Sequence, residues 1–447
     1  MKFIALSALC ALSLQAADGL DTWFKEGHVS GNVKYYYIDT TKDGGTPGHS
    51  SGHANAIGGQ LSYVTGSLYG LKLGATFMTT NPFALPNDPG NVDTSIIGRD
   101  NGVRLDGNAN GVHSDDGFTV LGEVYGQYNR DNYELWYGRK VIETPLIDAK
   151  EVRMLPSSIE GGMASVKLTP EVQLSAGYID KFKQRTSDRF TNIVKHALGS
   201  DTLAITGHED GYIVPVSVSY KNAAVSTRVY DYYAPDFMNS IYADATFTNK
   251  LAGGVSYSAS AQAIAQDSVG NADSAAATAI MGGAINAQEV GAKVSATYQD
   301  TTLMAACTHV LSNSGDHDSL VLPWDGTPLY TNMITSNDLF ISNYGQGLKS
   351  DTAYIGGTTG VKFGASQIFE IAGIKGFSAG LSYAHYTNGR FPKSQEDING
   401  ELGYGIGSFS LALKGMWVSN NTSASAKNVI TQNDTLTQYR VIANYKF

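Results

Sequence analysis

The chain has 447 residues and a formal net charge of −10, and only 16% of its residues are charged, against about 25% in typical soluble domains. Glycine (50 residues) and tyrosine (26 residues) are abundant, whereas there are only 2 cysteines. This composition argues against a disulfide-stabilised scaffold, a disordered chain and a helical soluble enzyme. The acidic balance predicts no nucleic-acid partner, because binding phosphates requires a basic face.

Residues 1–17 have the pattern of a secretory signal peptide. Lys2 supplies a positive charge, an apolar stretch runs from Phe3 to Leu14, and Gln15-Ala16-Ala17 fits a cleavage site before Asp18. The apolar stretch is shorter than the ~20 residues of a transmembrane helix. We therefore expect an exported protein whose residues 18–447 form a single domain, with Cys307 as its only thiol.

Further along the chain, apolar and polar residues alternate in many short segments. Clear examples are residues 29–37, 71–78, 172–178, 290–298 and 409–417. A period of two is typical of strands with one apolar and one polar face. Counting hairpins gives about 18 strands, and the count is weakest where we place a strand at 352–363 followed by a long turn at 364–375.

The connections between these strands alternate between short turns and long polar segments. The long segments are expected around residues 40–54, 80–117, 181–209, 264–285, 312–350 and 419–435. Strict alternation is typical of outer-membrane barrels. The sequence thus predicts an all-β fold, a transmembrane antiparallel up-and-down β-barrel of about 18 strands with short periplasmic turns and long extracellular loops, integral to a bacterial outer membrane and in contact with its lipid.

The last strand has an aromatic outer face. Tyr439, Tyr445 and Phe447 share this face with Val441 and Ala443, and Phe447 ends the sequence. A strand of this kind resembles the signal that the barrel-assembly machinery of the outer membrane recognises, which predicts that machinery as a partner. The alternative is an ordinary amphipathic strand without a recognition role.

One block of the sequence resembles the OprD family of outer-membrane porins. It comprises Tyr137-Gly138-Arg139-Lys140, Thr144-Pro145-Leu146 and Arg153-Met154-Leu155-Pro156. Weaker similarity extends over nearly the whole mature chain. The resemblance implies an 18-stranded barrel whose third outer loop folds inward, and passive, partly selective uptake of small hydrophilic solutes such as amino acids, peptides or organic acids.

Carried onto this sequence, the resemblance places the constriction loop at about 142–159. Arg139 matches the arginine that ends the fifth strand, and Arg153 matches an arginine of the loop. Arg153 either lines the constriction or ties the loop to the wall through Glu143 or Asp148, and both roles are compatible. The arginine ladder of the family's late strands is absent here, where Lys414 is the clearest cation.

If the apolar strand faces contact lipid, the charged residues on the other faces line the lumen, because a Lys or Arg at mid-depth on the lipid face costs roughly 2–4 kcal/mol. The acids predicted to line the pore are Glu123 and Glu401. The predicted basic residues are Lys34, Lys72, Arg228, Lys293, Lys362, Lys414 and Arg440. Together with acidic residues in the loop around 88–116, they predict an acidic mouth above a mildly basic wall, which favours zwitterions or anions. The alternative is that these lysines are merely solvated.

Catalytic and metal-binding motifs are not found, so we expect no enzyme, no cofactor and no metal site. His49 and His53, and the segment Asp316-His317-Asp318, are weak metal candidates only. The sequence is compatible with two functions: a diffusion channel, or a surface adhesin or structural barrel with a blocked lumen. The sequence leaves the oligomeric state open between monomer and trimer.

Overall fold

The computed structural model describes residues 17–44, 48–83, 85, 117–149, 152–313, 315–333, 350–424 and 429–447. The predicted signal sequence lies almost entirely outside these residues, and the acidic loop around 88–116 lies wholly outside them. Within them, the chain forms one closed antiparallel sheet of eighteen long strands. This confirms the predicted fold class.

The strands follow one another around the barrel in sequence order. They are β1 (His28–Gly44), β2 (Gly48–Val64), β3 (Leu71–Pro82), β4 (Phe118–Arg130), β5 (Tyr133–Lys140), β6 (Ser158–Lys167), β7 (Val172–Lys183), β8 (Val214–Lys221), β9 (Val225–Ala234), β10 (Met238–Lys250), β11 (Ser256–Ser268), β12 (Asn286–Tyr298), β13 (Thr301–Val310), β14 (Thr359–Ile371), β15 (Ile374–Thr387), β16 (Gln395–Ile406), β17 (Phe409–Ala424) and β18 (Ile430–Lys446). Two short strands, Thr191–Asn192 and Ser350–Asp351, pair onto the edges of β7 and β17.

The barrel closes where β18 pairs with β1. The register runs from Asn32 opposite Lys446 to Asp43 opposite Thr435. Beyond it, the backbone N–H groups of Gly31 and Phe447 each donate to the other residue's carbonyl oxygen, at 2.9 and 3.0 Å. This pairing of the first strand with the last closes the sheet, as a membrane-spanning sheet requires.

The two faces of the wall differ as the alternation predicts. Leu61, Phe77 and Leu303 project outward and are each more than half exposed, whereas Tyr36 and Ile38 on the inner face of β1 are buried. An outer wall of exposed apolar side chains is suited to hydrocarbon, while the inner wall packs against loops.

An apolar core fills part of the barrel at the end where the long connections lie. Three short helices contribute to it: α2 (Ile193–Leu198), α3 (Thr202–Thr206) and α4 (Ala275–Met281). One further helix, α1 (Ala17–Lys25), precedes β1. Among the described residues, none of the helices is both long and apolar enough to span a membrane.

The strand placed at 352–363 is wrong. Residues Thr352–Tyr354 form a short 3-10 turn, the strand is β14 (Thr359–Ile371), and its turn is only Ala372 and Gly373. The error has a physical cause: the apolar residues Tyr354 and Ile355 are buried inside the barrel, so their hydrophobicity reflects loop packing and not contact with lipid.

The loops expected at 40–54 and 419–435 are also mostly strand. β1 and β2 pair as far as Gly44 and Gly48, and β17 and β18 pair as far as Ala424 and Ile430. Polar side chains continue in these hairpins because the backbone pairs without regard to their hydrophobicity. The alternation of apolar and polar residues therefore ends several residues before the strands do.

Candidate functional site

The connection between β5 and β6 runs along the inside of the barrel. At its start, the backbone N–H of Val141 donates to Glu123 Oε1 on β4, at 2.9 Å. Further along, Leu146, Ile147 and Leu155 are buried against other loops and the wall. The segment around 141–157 is thus held by both main-chain and apolar contacts.

Inward-facing side chains of two strands fix the end of this loop. Lys34 Nζ donates to Arg153 O at 3.3 Å, and the Tyr36 hydroxyl donates to Val152 O at 2.8 Å. Lys183 Nζ donates to Pro156 O at 3.0 Å. Arg153 itself is fully buried, and its Nη1 donates to Val152 O at 3.1 Å.

A second loop, between β13 and β14, crosses the first inside the barrel. The backbone N–H of Asp148 donates to Trp324 O at 3.1 Å, and Trp324 Nε1 donates to Ile193 O at 3.0 Å. A Cβ atom at Gly326 would lie 2.4 Å from backbone atoms of Leu146. Because glycine has no Cβ atom, it allows the two loops to cross at this distance.

The two loops and strands β9, β10, β12, β13 and β14 border an open cavity of about 710 Å³. Glu143 and Asp148 line it from the first loop, and Arg228, Lys293 and Lys362 line it from the strands. Five of the residues predicted to form the constriction or the pore lining therefore meet at one place.

Each of the three cations that line this cavity contacts a neighbouring group. Arg228 donates to both carboxylate oxygens of Asp244, at 3.0 and 2.8 Å. Lys293 Nζ lies 4.5 Å from the ring centroid of Tyr330, in cation–π geometry. Lys362 Nζ donates to Asn332 O at 2.6 Å.

Tyr330 presents an uncharged hydroxyl group at the surface of this cavity. Burial, and secondarily the negative charge of Asp244, raise the pKa of Tyr330 to about 12. Its hydroxyl donates to Ala261 O at 3.2 Å. The ring is thereby fixed beneath the Lys293 ammonium group.

A second cavity of about 300 Å³ continues the hydrated surface along β13 to β16. It shares Lys362 and Asn332 with the first cavity, and Glu401 lines its far side. Lys414 Nζ lies 3.0 Å from Glu401 Oε2. The two cavities adjoin along the inner wall, and each is lined by side chains of both charges.

The other predicted site residues lie elsewhere on the inner wall. Arg139 Nε lies 2.8 Å from Glu160 Oε2 and its guanidinium stacks 4.3 Å above the Phe190 ring. Lys72 alternates with the outward-facing leucines of β3. Lys34 and Arg440 face inward but are buried, and Arg440 Nη1 donates to the Tyr36 hydroxyl at 3.2 Å.

The aromatic residues of β18 face outward. Tyr439, Tyr445 and Phe447 are each more than half exposed on the outer wall.

The sequence does not predict that Tyr330, Asn332 and Asp325 line or support the site, because the polar segment 312–350 is typical of an outer loop. One signal was present. Leu320-Val321-Leu322-Pro323-Trp324 is an apolar run within that segment, and all five residues are buried. A solvated loop has no reason to carry such a run.

The weak metal candidates do not assemble into a site. Across the described ranges, no group of three or more His, Cys, Asp or Glu residues is arranged to hold an ion. Asp318 instead pairs with Arg390 at 3.1 Å, and His49 Nδ1 contacts Asp43 at 2.6 Å. Cys307 is exposed on the outer wall.

The sequence profile described as outer membrane porin, OprD family, matches residues 23–447. The chain belongs to the OprD family of outer-membrane porins. Solved structures of similar fold include two proteins of Pseudomonas aeruginosa. OpdK, crystallised with vanillate, has 15% identity over 95% of this chain and 99% of its own, with a TM-score of 0.69. OccK9 (OpdG) has 17% identity over the same shares, with a TM-score of 0.71.

OccAB3 of Acinetobacter baumannii is also similar, with 14% identity, a TM-score of 0.68, and 94% and 99% of the two chains covered. A search of curated protein sequences gave no match. This OprD-family porin is an integral outer-membrane channel for small solutes. Family membership thus favours the channel over the surface adhesin with a blocked lumen.

Proposed function

We propose that the third outer loop, at about 142–159, forms one side of the constriction of this porin, and that the cavity beside it selects small zwitterions or anions. The observation that carries the proposal is the shared lining of that cavity. Glu143 and Asp148 belong to the loop, while Lys293 and Lys362 belong to the opposite strands. Opposite charges on two sides of a narrow hydrated space produce a transverse field that orients a dipolar solute.

The lysines are the groups that decide the sign of selectivity. Arg228 is neutralised by Asp244, and Lys414 by Glu401. Lys293 and Lys362 are held by an aromatic ring and a backbone carbonyl oxygen, which leave their positive charge uncompensated by those contacts. Amino acids, short peptides and organic acids carry the carboxylate that such a surface attracts, and transport needs no catalytic step.

Reversal potentials in a salt gradient test this assignment. Replacing both Lys293 and Lys362 with Gln is expected to shift the preference toward cations, and replacing Glu143 with Gln and Asp148 with Asn is expected to shift it toward anions. Lys72→Gln is the matched control, because Lys72 lies outside both cavities. Clear cation selectivity of the unmodified channel, or equal shifts in all three variants, would refute the proposal.

Arg153 provides a separate test of the loop. We propose that it acts as a tether, since it is fully buried beside the contacts made by Lys34 and Tyr36. Arg153→Ala should loosen the loop and change single-channel conductance or solute preference. Arg130→Ala, at an exposed short turn, should change neither. An unaltered Arg153→Ala channel would contradict the role.

A further inference from the structure

Helix α1 lies against the outside of the barrel wall at the end with the short turns. On β2, Ser62 faces inward, where Thr76 Oγ1 donates to it at 2.9 Å, so its neighbour Tyr63 faces outward. The hydroxyl of Tyr63 donates to Phe24 O at 2.5 Å. The end of α1 is therefore fixed to the surface that faces the membrane.

Trp23 fastens the helix to the turn between β2 and β3. Its indole Nε1 donates to Gly66 O at 2.8 Å and to Leu71 O at 3.2 Å, and the side chain is buried. The backbone N–H of Gly66 donates in return to Trp23 O at 2.9 Å. These contacts hold the orientation of α1 about its own axis.

The orientation leaves an apolar face of α1 uncovered. Leu20, Trp23 and Phe24 have the i, i+3, i+4 spacing of one helix face. Trp23 is covered by the turn, whereas Phe24 is 50% exposed. Asp21 and Lys25, one turn apart, form an exposed ion pair, and Thr22 lies on the face opposite Phe24.

We propose that α1 is an interfacial anchor, whose Phe24 and Leu20 insert into the headgroup region of the periplasmic phospholipid leaflet. The apolar face of α1 adjoins the outer wall of the barrel, which faces lipid. Tyr445 and Phe447, at the same end of the barrel, are exposed outward, and Tyr69 in the adjoining turn is 87% exposed. Aromatic side chains are favoured at this depth of a bilayer.

The charge of α1 indicates which lipids it fits. Lys25 is paired with Asp21, and the following Glu26 is exposed. A basic helix would be drawn to anionic lipid, but this one has no excess of positive charge. Insertion therefore depends on aromatic and apolar contact with a zwitterionic leaflet. Because α1 is outside the wall, it leaves the periplasmic mouth of the channel clear.

Nitroxide accessibility tests the anchor in the intact protein purified from the outer membrane and reconstituted in phosphatidylethanolamine/phosphatidylcholine vesicles. The background carries Cys307→Ser, which removes the only thiol of the mature protein, and single labels are placed through Phe24→Cys or, as the matched control, Thr22→Cys. We expect the label at 24 to collide often with oxygen and rarely with a water-soluble nickel complex, and the label at 22 to show the reverse.

Three results would overturn the proposal. The label at 24 would be as accessible to nickel as the label at 22 if α1 were in water. It would be shielded from both reagents if a second copy or another protein covered the helix. Insertion only after adding phosphatidylglycerol would show electrostatic binding in place of the apolar anchor. Unchanged single-channel conductance of both labelled variants confirms that the barrel is intact.

Discussion

Arg185 and Asp325 form a buried ion pair inside the barrel, with 2.5 Å between Nη1 and Oδ1. Arg185 follows β7, whereas Asp325 belongs to the loop between β13 and β14. Asp325 Oδ2 also accepts a hydrogen bond from Ser157 at the end of the third loop. One carboxylate thus joins three loops that are remote in sequence, and it holds the walls of the cavity together.

Asp325→Ala is expected to destabilise the barrel more than a surface substitution does. The substitution removes the carboxylate that pairs with the buried Arg185, and breaking a buried ion pair typically costs about 3–5 kcal/mol. The measurement is denaturant unfolding in detergent, followed by tryptophan fluorescence, together with open-channel noise, which should rise. Asp21→Ala removes an exposed ion pair and should cost less than about 1 kcal/mol. Similar losses in both variants would show that Asp325 does not join the loops.

Tyr330→Ala is expected to raise conductance and strengthen the preference for anions. The substitution removes a ring from the cavity and frees Lys293 from a cation–π contact of about 0.5–2 kcal/mol. Tyr330→Phe is the matched control, because it keeps the ring and loses the hydroxyl, which hydrogen bonds to Ala261 O and to the Ser260 side chain. Single-channel recordings in a salt gradient measure both effects. Equal changes in the two variants would assign the effect to the hydroxyl.

His196 is expected to make the loop core sensitive to acid. Burial lowers the pKa of His196 to about 4, against about 6.5 in an unfolded chain. The unfolded state therefore binds the proton first, so stability is full above pH ~6.5 and falls as the pH drops towards 4, by about 2 kcal/mol at pH ~5. Unfolding midpoints at pH ~7 and pH ~5 measure this loss. His196→Gln should remove most of the difference, and an unchanged pH dependence would contradict the assignment.

Phe447→Ala is expected to reduce the amount of barrel in the outer membrane several-fold. The ring lies on the outer wall, while the closure of β1 with β18 uses only backbone atoms of Phe447. A loss of recognition during assembly would therefore leave the protein that does assemble as stable as before. Phe409→Ala, which removes an exposed aromatic residue opposite Tyr445, is the control. Equal levels of both variants in membrane fractions would exclude a special role for Phe447.

The inner and outer faces of the strands were predictable because successive side chains point alternately to the lumen and to the lipid. On β1, Lys34 and Tyr36 face inward and Val29 and Val33 face outward, as the alternation indicates. Arg228, Lys293 and Lys362 were predicted from the same rule, and all three line the cavity. Charged side chains are costly on the lipid face, so alternation with a period of two places them on the inner face of the barrel.

The predicted strand and loop positions were wrong where side chains pack against loops inside the barrel and not against lipid. Tyr354 and Ile355 resemble strand residues, but Tyr354 ends a 3-10 turn, Ile355 follows it, and both side chains are buried inside the barrel. Trp324 and Asp325 sit in a segment that looked solvated, yet they pack against the third loop. The apolar run at residues 320–324 was the one local sign that this loop returns into the barrel, and it did not show which residues the loop would contact.

The sequence by itself determined a wall of about eighteen strands and the inner placement of Arg228, Lys293 and Lys362, because these follow from local periodicity and the cost of charge in hydrocarbon. Only the tertiary structure decided that Glu143 and Asp148 meet Lys293 and Lys362, and that Lys34, Arg153 and Arg440 are buried. These pairings depend on how two loops cross, at Gly326 and Leu146, and contacts between residues so far apart in the chain leave no signal in local spacing.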